Sequence, residues 1–331
     1  MNTINVMRSF AIFLVICAHV NICPEDALDK VQTCSCILRC MALPGVFVFF
    51  LLAGYCLGYN KRRIGSFFVH KIQTIIFPWI VTGTMVFLWV YLRKHTLTLG
   101  SIYEYVRFIL GIQTYLWYMT VLMILYIIFF LFRHWSAYLL LLLLSGLSFI
   151  FVSKWQPKVW NWGGDYLNIM NYFPYFILGY YIYYYSGKYD LFRRMVQGGL
   201  SKAKYLASLL CIISVGMMYY IVSSDIQMSY WNYRILPFVT ITLLVVCLVS
   251  YEFRNNKLLN RLGLHSFSIY LLHMPVAGII VNICNRIDSV FIMMLRPVIV
   301  LIAVECVILI FEKICHGIKY EGLLKSAIGI R

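Results

Sequence analysis

Arg8 and His19 stand inside the first hydrophobic run of the chain, INVMRSFAIFLVICAHVNI. Water is scarce in such a run, and an ionisable side chain there needs a partner or a task. The two positions are eleven residues apart. On a helix turning about 100° per residue, this spacing is three turns plus about 20°, so both side chains leave one face, about 16 Å apart along the axis. A guanidinium presents a planar fork to phosphate, and an imidazole with a near-neutral pKa takes a proton from a hydroxyl. The pair predicts one pocket with two functional depths. The structural alternatives are an Arg8 that anchors the helix at the inner boundary and a His19 that is a polar packing contact between helices.

Two more ionisable groups fall at depth in late apolar runs, His273 and Glu305. Glu305 either orients and charge-stabilises an imidazole, as a carboxylate does in hydrolytic triads, or pairs with His273 as structural glue. Trp117 and the YYIYYY run at 180–185 offer aromatic faces for a sugar ring or an adenine, although interfacial belts use the same residues. Cys23, Cys34, Cys36 and Cys40 crowd the first outer loop or its border, either with one disulfide or as unpaired thiols. No CxxC pair is present, and no metal site is expected.

The elements that must position these groups are transmembrane helices. Of the 331 residues, 62% are hydrophobic and 12% charged, and the mean hydropathy is +0.82, which no water-soluble domain could hide in its core. A span needs about 20 mostly apolar residues. Apolar runs broken by charge and turn residues predict about ten, near 4–22, 41–60, 72–92, 115–132, 136–152, 167–186, 204–222, 234–251, 265–285 and 297–315. The first is expected to be a retained helix, since no small-x-small cleavage site follows it. The fold class is all-α, a polytopic bundle, with residues 1–331 as one domain.

The net charge of +16 reflects topology, and no nucleic-acid partner is expected. With the N-terminus inside, inner segments hold about 18 of the 28 Lys and Arg, including Lys61, Arg62, Arg63 and Lys71, which places both termini in the cytosol. Between spans three and four, Ser101 and Glu104 form a capping box ahead of Ile102, Val106, Ile109 and Leu110, which predicts a short interfacial helix ending at Gly111.

The segment VMRSFAIFLVICAH resembles the opening signature of acyltransferase family 3, an Arg, ten residues and a His in the first helix. In order along the chain, PGVFVFFLLAGYCLG is similar to that family's second helix, FFVHKIQTIIFPW to its basic loop before a Pro, YLWYM to its Leu-Trp-Phe segment, and FSIYLLHMPV to its late Tyr-Leu-x-His element. The resemblance runs over nearly the whole chain. Asn5 stands where relatives often have Asp and Ala53 where they often have Ser, so Ala53 carries no acyl group; His70, Lys71 and Thr74 occupy a stretch usually richer in Arg.

The resemblance implies transfer of an acyl group, usually acetyl, from cytosolic acyl-CoA to a hydroxyl of an envelope carbohydrate across the bacterial cytoplasmic membrane. Arg8, Arg62, Arg63 and Lys71 would then meet the phosphates of CoA, and Trp117 the acceptor sugar. His19 would act as general base on the acceptor hydroxyl, or carry the acyl group transiently. GxSxG, HExxH, Walker and GxGxxG signatures are absent, as is the His-x4-Asp of soluble glycerolipid acyltransferases. Intramembrane His, Arg and Glu also mark transport pathways, so the alternative is an exporter of a polar glycan precursor.

Overall fold

The computed structural model describes residues 2–24, 27–58, 63–91, 99–112, 114–131, 165–189, 200–224, 226, 235–287 and 289–330. Among these residues every regular element is helical. The first apolar run forms α1 (Asn2–Val20). α2 (Asp29–Gly58) starts well before the predicted second span, because Val31, Cys34 and Leu38 recur at helical spacing and are buried. Polar neighbours such as Lys30, Gln32 and Arg39 lower the hydropathy of that turn-rich stretch and conceal the helix in the sequence.

α3 (Ile64–Lys71) runs through one wide π turn (Ile72–Ile76) into α4 (Phe77–Tyr91). Pro78 comes two residues after the end of that turn and has no N–H for the Thr74 carbonyl four residues back, so the wider turn falls where the α-helical bond cannot form. The predicted short helix is α5 (Leu99–Ile109), closed at Gly111 with φ +75°. Its start differs from the capping-box expectation: Ser101 lies inside the helix, buried, and donates to the Tyr91 hydroxyl at 2.9 Å.

α6 (Trp117–Leu131) matches the fourth predicted run, and the fifth, at 136–152, lies outside the described residues. The later helices are α7 (Phe173–Tyr189), α8 (Leu200–Ser223), α9 (Leu236–Glu252), α10 (Lys257–Cys284), α11 (Val290–Cys315) and the short α12 (Glu321–Ala327). Among the described residues, six helices are long and apolar enough to cross a membrane: Asn2–Val20, Asp29–Gly58, Ile64–Tyr91, Tyr205–Ser223, Lys257–Cys284 and Val290–Cys315. The apolar Trp117–Phe130 and Leu236–Glu252 are shorter.

Close contacts fix how these helices run. A side-chain carbon on Gly263 of α10 would fall 1.9 Å from the Asn5 carbonyl of α1, and further along the same two helices the His19 and His273 rings touch. α1 and α10 are therefore parallel. α2 runs against α1, since Gly45 meets Ala11 and Leu14 while Cys56 meets Arg8. α2 in turn crosses α7 with the backbones touching: a Cβ on Gly54 would lie 1.8 Å from the Phe176 carbonyl, and one on Gly179 would lie 1.9 Å from the Leu51 carbonyl. Gly58, one turn beyond Gly54, lies under the Tyr183 ring, so Gly54 and Gly58 form the small-xxx-small face that lets membrane helices approach closely.

Arg296 of α11 is the largest fully buried side chain among those described, with 1% exposure. Its Nη1 donates to the Ile22 carbonyl at 2.7 Å, just past the C-terminal end of α1, where a cation complements the helix dipole.

The α2–α7 crossing is testable. Gly54→Ala forces backbones apart and should lower stability by about 3 kcal/mol, measured as a clear drop in the thermal unfolding midpoint in detergent. Gly216→Ala in α8, where an added carbon meets nothing, should leave the midpoint unchanged or raise it.

Candidate active site

Arg8 projects from the second turn of α1, with Nη2 3.6 Å from the Cys56 sulfur. Opposite, Lys71 at the end of α3 donates from Nζ to the Tyr126 hydroxyl at 3.3 Å and lies over the Tyr126 ring. Both cations open onto one cavity of about 400 Å³, and no described residue in its wall is acidic. His19 and Trp117 line the same cavity, so Arg8 and His19 share one space at two depths, as their spacing requires.

A second cavity, of about 690 Å³, has His19, Tyr115 and Trp117 in common with the first. It continues past them between α4 and α10, walled by Trp89, Phe108 and Tyr166, with Thr114 and Asn282 as polar groups. His19 thus stands at the junction of a cationic cavity and an aromatic one.

His273 forms the other half of the junction. Its ring centroid is 5.0 Å from that of His19, and it is fully buried. Nδ1 lies 2.6 Å from the Tyr270 carbonyl and therefore carries the proton it donates there. That tautomer leaves Nε2 as a lone pair, which is buried and has no hydrogen-bond partner among the described residues. Tyr115 meets the His273 ring edge-on at 5.4 Å.

Tyr115 is held by a backbone vacancy in α10. Pro275 has no N–H for the Leu271 carbonyl four residues back, and the Tyr115 hydroxyl donates to that carbonyl at 2.9 Å. The Tyr270 hydroxyl donates to the Tyr115 carbonyl in return. The pair locks the start of α6 to the stretch of α10 that carries His273. Tyr115 and Arg296 were not among the sequence candidates; a Pro inside an apolar run, leaving one carbonyl unpaired, was the available signal for the first.

Glu305 is placed elsewhere. Its carboxylate lies 2.9 and 3.0 Å from His265 Nδ1 and 3.3 Å from Arg261 Nε, on the α10–α11 contact, so it neither orients His19 nor pairs with His273. His265 also lies 3.8 Å from Glu312 through Nε2. In a helix pair of this kind the register decides which ionisable groups meet, and the register is not written in either span alone.

Of the other candidates, Arg63 precedes α3 and does not line the cationic cavity, and Arg62 lies outside the described residues. Trp117 packs against Tyr172 at 5.2 Å and Tyr166 at 5.7 Å while lining both cavities. In the Tyr run, Tyr180 packs on Phe129 at 4.9 Å and Tyr183 covers Gly58, which makes both part of helix packing. Cys34, Cys36 and Cys40 are in α2, not in a loop, and they and Cys23 are unpaired.

Chemically, the junction joins an anion-attracting end to a pair of imidazole rings in a confined, largely apolar space. Such a site suits a ligand with a charged head and a reactive far end. No curated protein and no solved structure matches the chain. A family model described as an acyltransferase domain matches residues 1–312, from α1 through nearly all of α11. The helices that carry Arg8, Lys71, His19 and His273 all lie within that match, and the chain belongs to acyltransferase family 3, as a multi-pass membrane acyltransferase.

Proposed function

We propose that the protein is an O-acyltransferase that moves an acyl group, acetyl by preference, from cytosolic acyl-CoA to a hydroxyl of an envelope glycan. The observation that carries this reading is the pair of cavities meeting at His19. The phosphates of CoA are held at the Arg8 and Lys71 end, where two cations face a wall without described acids. The thioester arm runs along the 400 Å³ cavity toward His19, and the acceptor sugar reaches His19 from the aromatic cavity, against Trp117.

His19 takes the proton of the acceptor hydroxyl as its oxygen attacks the thioester carbonyl, and the CoA thiolate leaves with that proton. His273, its Nδ1 held by the Tyr270 carbonyl, sets a second imidazole ring beside that of His19. Ten alternating spans with both termini in the cytosol suit this arrangement. In that order α1 and α10 are the first and ninth spans and must be parallel, and α2 and α7 are the second and sixth; the close contacts run both pairs in parallel. A bacterial cytoplasmic membrane would supply acyl-CoA on one side and envelope glycan on the other. Export of a glycan precursor, the other reading of the sequence, is not favoured by an acyltransferase family.

Purified protein given labelled acetyl-CoA and candidate glycans provides the test. His19→Ala should lower kcat by about 100-fold or more with little change in donor KM. Arg8→Ala should raise the donor KM about tenfold with kcat nearly unchanged, as expected for a lost phosphate contact. Label transfer unaffected by either change removes both residues from the mechanism, and the reverse pattern exchanges their roles. Glycan translocation without acyl transfer establishes the exporter. Because Glu305 pairs with His265 away from the junction, Glu305→Gln should keep kcat within about threefold of wild type, while His273→Ala should lose at least tenfold.

A further inference from the structure

The chain after α11 turns back into the bundle. Gly317, at φ +82°, makes the turn, and Glu321 steadies it by accepting from the Gly317 N–H at 3.1 Å and from Lys325 Nζ at 2.6 Å. α12 then leads inward until the Ala327 carbonyl accepts from Thr82 Oγ1 of α4 at 3.2 Å, at a position where Thr82 is 1% exposed. Ile328, Gly329 and Ile330 are all buried. These residues lie beyond the stretch that matches the family, which ends at 312.

Gly329 lines the cavity that Arg8 and His19 share. It sits at φ +80°, and a Cβ there would fall 2.6 Å from Cδ1 of Phe267, another residue of the cavity wall. Phe267 precedes His273 by six residues on α10, or about 9 Å along the axis. The tail and Phe267 therefore share one wall of that cavity.

Resting on the assignment of this cavity to the acyl donor, we propose that Gly329, held in place by the buried Ile328 and Ile330 on either side, is part of the wall of the donor site that binds the thioester arm of acyl-CoA. Steady-state kinetics in both substrates, on wild type and variants purified in detergent, test it. A chain ending at Tyr320 should show a donor KM raised about tenfold or more, with the acceptor KM within about twofold of wild type. Gly329→Ala, which strains the backbone and pushes Phe267 toward the arm, should raise the donor KM about three- to tenfold. Gly322→Ala, in the same tail where an added carbon meets nothing, should leave both constants unchanged.

A donor KM within about twofold of wild type in Gly329→Ala overturns the proposal, as does an equal rise in both KM values, which marks a general loosening of the fold. Should the shortened chain fail to fold, Gly329→Ala decides alone. Wild type that transfers no label from acetyl-CoA refutes the donor assignment itself, and the tail's role falls with it.

Discussion

The backbone of α10 lies directly on that of α1 at Gly263 and Asn5, and the site depends on that contact. Two helices can approach so closely only where one has no side chain in the way, and once they do, their relative register is fixed. The register then brings His19 and His273 into ring contact at the far end of the same pair. Arg296 and Tyr115 hold the two helices from outside: one meets the carbonyl just beyond α1, the other meets the carbonyl that Pro275 leaves open in α10. Each uses a backbone group that would otherwise be unsatisfied in an apolar setting, so the packing and the polar accounting support one another.

The same economy shapes the cavities. An Arg and a Lys in apolar surroundings would be costly if sealed in, and both instead border a space large enough for a charged ligand. Lys71 lies on the rings of Phe67 and Tyr126, and Arg8 reaches Cys56, so neither side chain is spent on a described carboxylate. His265, Arg261 and Glu305 show the contrast: there an acid is paired with basic side chains between α10 and α11.

What was legible in the sequence was what a single helix can encode. The spacing of Arg8 and His19 set their common face, the apolar runs located the helices, and the Ser101 region gave the short α5. What depends on two segments was not legible. Glu305 had two candidate imidazoles, and its partner is a third, His265, because the register of two packed helices is encoded in neither span alone. The early start of α2 was hidden by exposed polar residues on one face, and the returning tail by its shortness and modest hydropathy. Tyr115 joined the site only through a carbonyl freed by a proline in a helix 160 positions later.

Sidedness of transfer is the most direct measurement of the proposal that donor and acceptor reach His19 from the two different cavities. In proteoliposomes with the protein in one known orientation, labelled acetyl-CoA is confined to the lumen or added outside, with the glycan on the opposite side. Label should appear on the glycan only when CoA is on the side of Arg8 and Lys71, and should vanish in His19→Ala. Equal labelling from either side, or labelling only when both substrates share one compartment, would contradict a junction fed from two faces.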